Sequence, residues 1–192
     1  SQADEAPTPP EHLADANLAG HDSHGVIVVP GYVRSLAAGR LQLNQRIDIV
    51  TDTGTLLVVE GHRGMGQSIA AQTMALAIDR ARVHGVAIVG LRNSHHIGRV
   101  GHWAEQATAQ ALASIHFTNV VSRPLVAPHG GTQARLGTNP LTVGLPRRGA
   151  PPILLDFATS AIAVGKVRVA YYKKAPAPHG VHVHMTGRCD PP

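Results

Sequence analysis

The stretch Thr55–Leu91, TLLVVEGHRGMGQSIAAQTMALAIDRARVHGVAIVGL, changes its hydrophobic period twice. TLLVVE is a short run of leucine and β-branched residues, the composition of a buried strand. In SIAAQTMALAIDRARVHG the apolar residues recur at helical spacing until Gly85 supplies a stop, and VAIVGL is a second buried strand. Strand, helix and strand in this order form a βαβ-like unit.

Working outward, EHLADANLAG reads as a helix ending near Gly20, with Leu13, Ala14 and Leu18 on one face. Ser23 is positioned to cap a second helix, HGVIVVPGYVRSLAAG, which Pro30 kinks or interrupts and Gly39 ends. Downstream, GHWAEQATAQA reads as a helix, LASIHFTNV, LTVGLP and PILLDFA as strands, and AIAVGKVRVA as a helix. From Tyr171 the periodicity disappears and Pro, Gly and His accumulate, so an irregular tail is expected. The division that follows is a helical segment over 1–45, an α/β domain over 46–170 and the tail over 171–192.

Composition narrows the function. Hydrophobic residues make up 43% of 192 residues, enough for an ordinary core, and aromatics only 3%, so that core is built from Ala, Val, Ile and Leu. The formal charge of +5 is scattered in pairs such as Arg147-Arg148, with few aromatics between them to stack on bases, which argues against nucleic acid. No run of eighteen apolar residues indicates a membrane span, and a lone Cys189 offers neither a disulfide framework nor a Cys-rich zinc site; a cytoplasmic protein is expected.

Four stretches carry chemistry. GMGQSIA begins like a dinucleotide-binding glycine loop, but Ile69 stands where the third glycine belongs, and VGLR after the next strand lacks a ribose-binding acid; an ordinary strand-to-helix turn is the better reading. In HDSHGV, a helix N-terminus would hold the His24 imidazole neutral and able to accept a proton, with the Ser23 hydroxyl orienting it. The alternative is that Ser23 caps the helix and His24 fills its first turn. NSHHIGRVGH puts His95, His96, Arg99 and His102 in a glycine-rich basic loop suited to an anion. A metal there, or at His179, His182 and His184, would need neighbouring Asp, Glu or Cys ligands, which are scarce, so none is expected. RLGTNPL and LLDFATS are polar turns on strands, with Asn139-Pro140 a turn initiator and Asp156 a cap for the next helix.

In the order DSHGV, NSHHIGR, APHGGTQARLGTNP and LLDFATSAIAVGKV, over about Leu13 to Ala170, the sequence resembles the malate/L-lactate dehydrogenase family, which also contains ureidoglycolate dehydrogenase, diketogulonate reductase and cyclic imine reductases. The resemblance implies an α/β (α+β) fold: an N-terminal helical segment belonging to the substrate domain, then a non-Rossmann nicotinamide-binding domain with a mixed sheet flanked by helices. It implies a homodimer using NAD or NADP on a 2-hydroxy or 2-oxo acid. By motif match His24 is the acid/base, supported by Ser23; His96, Ile97, Gly98, Arg99, Val100, Asp156, Phe157, Ala158 and Thr159 contact cofactor; Thr138, Asn139 and Arg99 bind substrate.

Two departures shape the expectation. Val28 stands where family members commonly place a carboxylate-gripping Arg, leaving Arg99 or another cation to replace it. Lys166 stands where the imine-reducing branch tends to carry a carboxylate, which tilts the reading toward hydroxy-acid oxidation over reduction of cyclic imino or keto acids. The resemblance implies that the family's first helix is missing here and that relatives continue past this terminus, so a truncated and catalytically inert member is the third alternative.

Overall fold

The computed structural model describes residues 8–121, 124–162 and 164–176. Helix α1 (Thr8–Leu18) is followed by two short 3-10 turns, Asp22–His24 and Val26–Val28, and then by α2 (Val29–Ala37). Pro30 lies in the first turn of α2, where a missing N–H costs nothing, so it starts that helix rather than kinking it. The buried face of α1 also differs from the expected one. His12, Leu13 and Ala16 are buried, while Ala14 is exposed and Leu18 is 86% exposed. A polar His12 at an interior position was invisible to a count of apolar spacing.

Strands β1 (Asp48–Asp52), β2 (Leu56–Glu60) and β3 (Ile88–Arg92) form the first sheet. β1 and β2 are an antiparallel hairpin, closed by Gly54 at φ +88°, whose N–H is accepted by the Asp52 carboxylate. β2 and β3 are parallel across α3 (Gly66–His84), as the βαβ reading requires. Gly85, at φ +80°, ends α3 by returning its N–H to the Ala81 carbonyl. Strand β1 was not anticipated, because DIVTD is exposed along its whole length and shows no alternation.

α4 (Gly101–Ala109) precedes the second sheet, of β4 (Ser114–Phe117), β5 (Leu141–Leu145) and β6 (Ile153–Phe157), in sequence order and antiparallel throughout. The described residues thus show the expected mixed α and β architecture, with the strands in two three-stranded sheets, the first mixed and the second antiparallel. The short connection between β5 and β6 explains the second, since a hairpin admits only antiparallel pairing. Gly144 lets this sheet press on α4, where a Cβ would sit 3.0 Å from both Ala104 and Thr108. α5 (Val164–Tyr172) extends the helical order into the start of the expected tail; 177–192, with the His-rich stretch and Cys189, lies outside the described residues.

Two apolar clusters hold these elements. Leu13, Val28, Tyr32 and Leu41 join α1 to α2, and Ala70, Val100 and Trp103 join α3 to α4. The segments between them carry the candidate site. Among the described residues, no helix is long and apolar enough to cross a membrane.

Candidate active site

Ser23 does not cap a helix. Its Oγ lies 2.9 Å from His24 Nδ1, within the 3-10 turn that follows α1. The turn is shaped by Asn17 of α1, whose Oδ1 accepts the Val26 N–H at 3.0 Å and whose Nδ2 donates to Asp22 at 2.8 Å. Gly25 is required here, because a Cβ would fall 2.1 Å from that Asn17 oxygen. From the other side α5 touches the turn: Lys173 Nζ donates to Asp22 at 3.2 Å, and a side chain at Gly165 would meet Ser23 Cβ at 2.5 Å.

His24 is held neutral, but not by a helix dipole. Burial is the main cause of its lowered pKa, and the neighbouring His21 adds to it, whereas the Asp156 carboxylate acts in the opposite sense. Its ring stacks on His96, with centroids 5.4 Å apart and planes 22° from parallel. His96 Nδ1 is 2.7 Å from the Tyr32 hydroxyl, which accepts a hydrogen bond from Gln67 Nε2, also at 2.7 Å. Burial raises the Tyr32 pKa to about 12, so the hydroxyl keeps its proton. The contact with Nδ1 ties the His96 tautomer to the Tyr32 hydroxyl: a proton donated by Tyr32 to Nδ1 would place the His96 N–H on Nε2.

The glycines of GMGQ serve this arrangement. A Cβ at Gly66 would lie 2.1 Å from the His96 carbonyl oxygen, and one at Gly64 would strike Ile69. The motif that imitates a nucleotide loop is thus a seat for the His95-His96 backbone, and Ile69, at the place of the missing glycine, is fully buried.

The loop over 96–100 brings its predicted residues together but turns its cation inward. Arg99 is 8% exposed and makes a two-pronged contact with Glu105, at 2.9 and 2.6 Å. Its guanidinium is engaged by protein. Val100 is in the core with Trp103, while Ile97 packs against that cluster and Gly98 takes φ +78°. His96 is the exposed member.

Asp156 has both oxygens engaged: Oδ1 with Thr142 Oγ1 at 2.7 Å and Oδ2 with the Gly101 N–H at 2.9 Å. It caps α4, from far along the chain, rather than the helix that follows it. Thr159 Oγ1 is tied to the Thr138 and Asn139 carbonyls at 3.1 and 3.0 Å, while Asn139 Oδ1 accepts the Val120 N–H at 2.9 Å. Thr138, Asn139 and Thr159 therefore form one stitched corner, with Ala158 half-buried and Phe157 exposed beside it. Val28, at the position of the missing Arg, is a core residue beside Leu13 and Tyr32.

Comparison with known proteins then places the chain. The sequence pattern of the malate/L-lactate dehydrogenase family matches residues 1–190. The chain belongs to this family. It is 50% identical over 187 residues to hydroxycarboxylate dehydrogenase B of Escherichia coli (strain K12), covering 97% of this chain and 52% of that protein. An L-lactate dehydrogenase of Cupriavidus necator is 46% identical over 187 residues, 96% of this chain and 54% of the relative. Among solved structures, delta1-piperideine-2-carboxylate reductase from Pseudomonas syringae superposes with a TM-score of 0.88 at 35% identity, over 99% of this chain and 57% of that one. The chain spans about half the length of the curated relatives it matches.

Sequence reasoning missed Asn17, Tyr32 and Gln67. Gln67 is completely buried, and a glutamine at the start of an otherwise Ala-rich inward face was the available signal.

Proposed function

We propose that this chain carries the acid/base machinery of an NAD- or NADP-dependent oxidoreductase acting on a small 2-hydroxy acid of the malate or lactate type. The observation that carries this reading is the Ser23–His24 pair, held by Asn17 and α5 and stacked on a second imidazole, His96.

The residues suit a nicotinamide dinucleotide. The 93–104 segment contains no acidic residue to repel a diphosphate, and hydroxyls gather at the Thr138–Thr159 corner. The loop over 96–100 and the stretch from Asp156 to Thr159 would hold the cofactor, Asp156 indirectly by fixing the start of α4. The bound cofactor supplies the hydride acceptor in oxidation and the donor in reduction.

In oxidation, neutral His24 accepts the substrate hydroxyl proton on Nε2 while its Nδ1–H is held by Ser23 Oγ. In reduction the protonated ring returns that proton to the new alkoxide. His96 offers Nε2–H beside it as a donor to a substrate oxygen. Thr138 and Asn139 would contact substrate from the stitched corner. With Val28 in the core and Arg99 on Glu105, neither provides an exposed cation for the carboxylate. The proposal extends to a homodimer, which the apolar outer face of the second sheet supports, and to a cytoplasmic setting, which the lone Cys189 supports.

Fluorescence titration with NADH and NADPH, followed by turnover on a panel of hydroxy, keto and cyclic imino acids, tests this. Saturable nucleotide binding with hydroxy-acid turnover is expected, and His24→Ala should lower turnover about 10²- to 10⁴-fold with nucleotide affinity nearly unchanged. Unaltered turnover in His24→Ala and loss in His96→Ala would transfer the acid/base role to His96. Binding of neither nucleotide would favour an inert chain.

A further inference from the structure

The mechanism above makes no use of His12, although it is 1% exposed and the most enclosed imidazole recorded in the core. Its Nε2 accepts the Arg99 N–H at 2.9 Å. Its ring stacks on Trp103, 5.0 Å between centroids, and tilts against His102 at 4.5 Å. A Cβ at Gly98 would lie 2.1 Å from the same Nε2, so the left-handed turn at Gly98 is folded directly over the nitrogen. Nδ1 is buried with no hydrogen-bond partner among the described residues.

An unpaired N–H in a sealed interior is costly, and an apolar side chain of similar size would avoid it. What the imidazole provides in return is one acceptor for the backbone of the loop. The ties of the loop include Arg99 N–H to His12, the Arg99 guanidinium to Glu105, the Gly101 N–H to Asp156, Trp103 Nε1–H to the Ile97 carbonyl, and His96 Nδ1 with the Tyr32 hydroxyl. The first comes from α1. The same helix carries Asn17, which shapes the Ser23–His24 turn. One rigid element therefore sets both the acid/base turn and the loop whose His96 stacks on His24.

We propose that His12 is a positioning residue that registers the 96–101 loop on α1, and through it fixes where the nucleotide meets the acid/base pair. The loop's role toward nucleotide rests on the function proposed above; the registration itself does not.

The test compares His12→Leu, which keeps bulk and removes the acceptor, with His12→Gln, whose Oε1 reaches about as far as Nε2. Hydrogen exchange of the Arg99 amide and titration with NADH and NADPH are read on both. In His12→Leu, Arg99 exchange should quicken at least tenfold and nucleotide affinity fall about tenfold, on the scale of one buried hydrogen bond, and His12→Gln should recover both. Unchanged exchange in His12→Leu, or a His12→Gln as impaired as His12→Leu, would overturn the proposal. Should His12→Leu not fold, the unsubstituted chain still decides: nitrogen NMR must show His12 with its proton on Nδ1 and a coupling from Nε2 to the Arg99 amide, and a proton on Nε2 would refute it. If the unsubstituted chain binds neither nucleotide, the dehydrogenase reading fails, and exchange alone judges the registration.

Discussion

His12 and His24 lie on either side of the same helix end, and burial lowers the pKa of both. Their uses diverge because of what surrounds the second nitrogen. His12 is closed in by Trp103, His102 and the Gly98 turn, so its Nε2 meets only a backbone amide. His24 is half-buried, with a hydroxyl on Nδ1 and the exposed His96 ring alongside. A lowered pKa is thus common to the enclosed His12 and to His24, the proposed acid/base; what surrounds the other nitrogen separates them.

The sharpest break in the comparison is His24→Ala. Turnover should fall about 10²- to 10⁴-fold, equivalent to about 3–5 kcal/mol in the barrier, with the urea midpoint nearly unmoved. A variant that lost stability and activity together would place His24 with His12 as a structural group. Next in size is Gly98→Ala. The left-handed backbone alone costs about 1–2 kcal/mol for a residue with a Cβ, and the collision with His12 brings the expected loss to about 3 kcal/mol. Denaturant unfolding measures it, and a loss under 1 kcal/mol would mean that the Gly98 turn does not fold over His12.

Acid separates the two rings in another way. The His12 pKa falls to about 3, from burial first and then from the charges of His102, Arg99, His96 and His24. Glu105 and Asp15 face its neighbour His102 and oppose that ring's lowering. Because the unfolded chain binds the His12 proton more readily than the folded one, its contribution to stability is complete above pH 6.5 and is lost as pH falls toward 3. Between pH 6.5 and 5 about 2 kcal/mol should disappear. His12→Gln should flatten that slope in paired urea titrations; an identical slope would assign the acid sensitivity to other groups.

The βαβ core was legible because its signals are local: an apolar strand, an Ala-rich helix and a Gly85 stop each declare themselves within a few residues. The Ser23–His24 pair and the NSHHIGR loop were legible as motifs. Their connections were not, since they join residues far apart in sequence: Tyr32 to His96, His12 to Arg99, Asp156 to Gly101. Charge misled most where a partner was distant in role rather than in sequence. Arg99 looked like a cation for a ligand until Glu105, six residues on, was seen to hold it. Ser23 looked like a cap because capping is what serines before helices usually do, and only the 3-10 turn revealed its partner to be the next residue.

The smallest effect belongs to Ser23→Ala, and it tests the reactive side of the comparison most finely. Removing Oγ leaves His24 buried and stacked on His96 but frees Nδ1, so the neutral ring divides between tautomers and only one presents a lone pair at Nε2. Turnover should fall about tenfold, near 1.4 kcal/mol, with nucleotide affinity and the urea midpoint little changed. Because burial dominates the lowered pKa of His24, and burial is unaltered, the acid limb of the pH–rate profile should stay where it is. A tenfold loss with a fixed acid limb makes Ser23 the group that orients the ring. A limb that moved would instead make the hydroxyl a principal determinant of the proton affinity of His24, and the ordering of causes argued for that ring would have to be reversed.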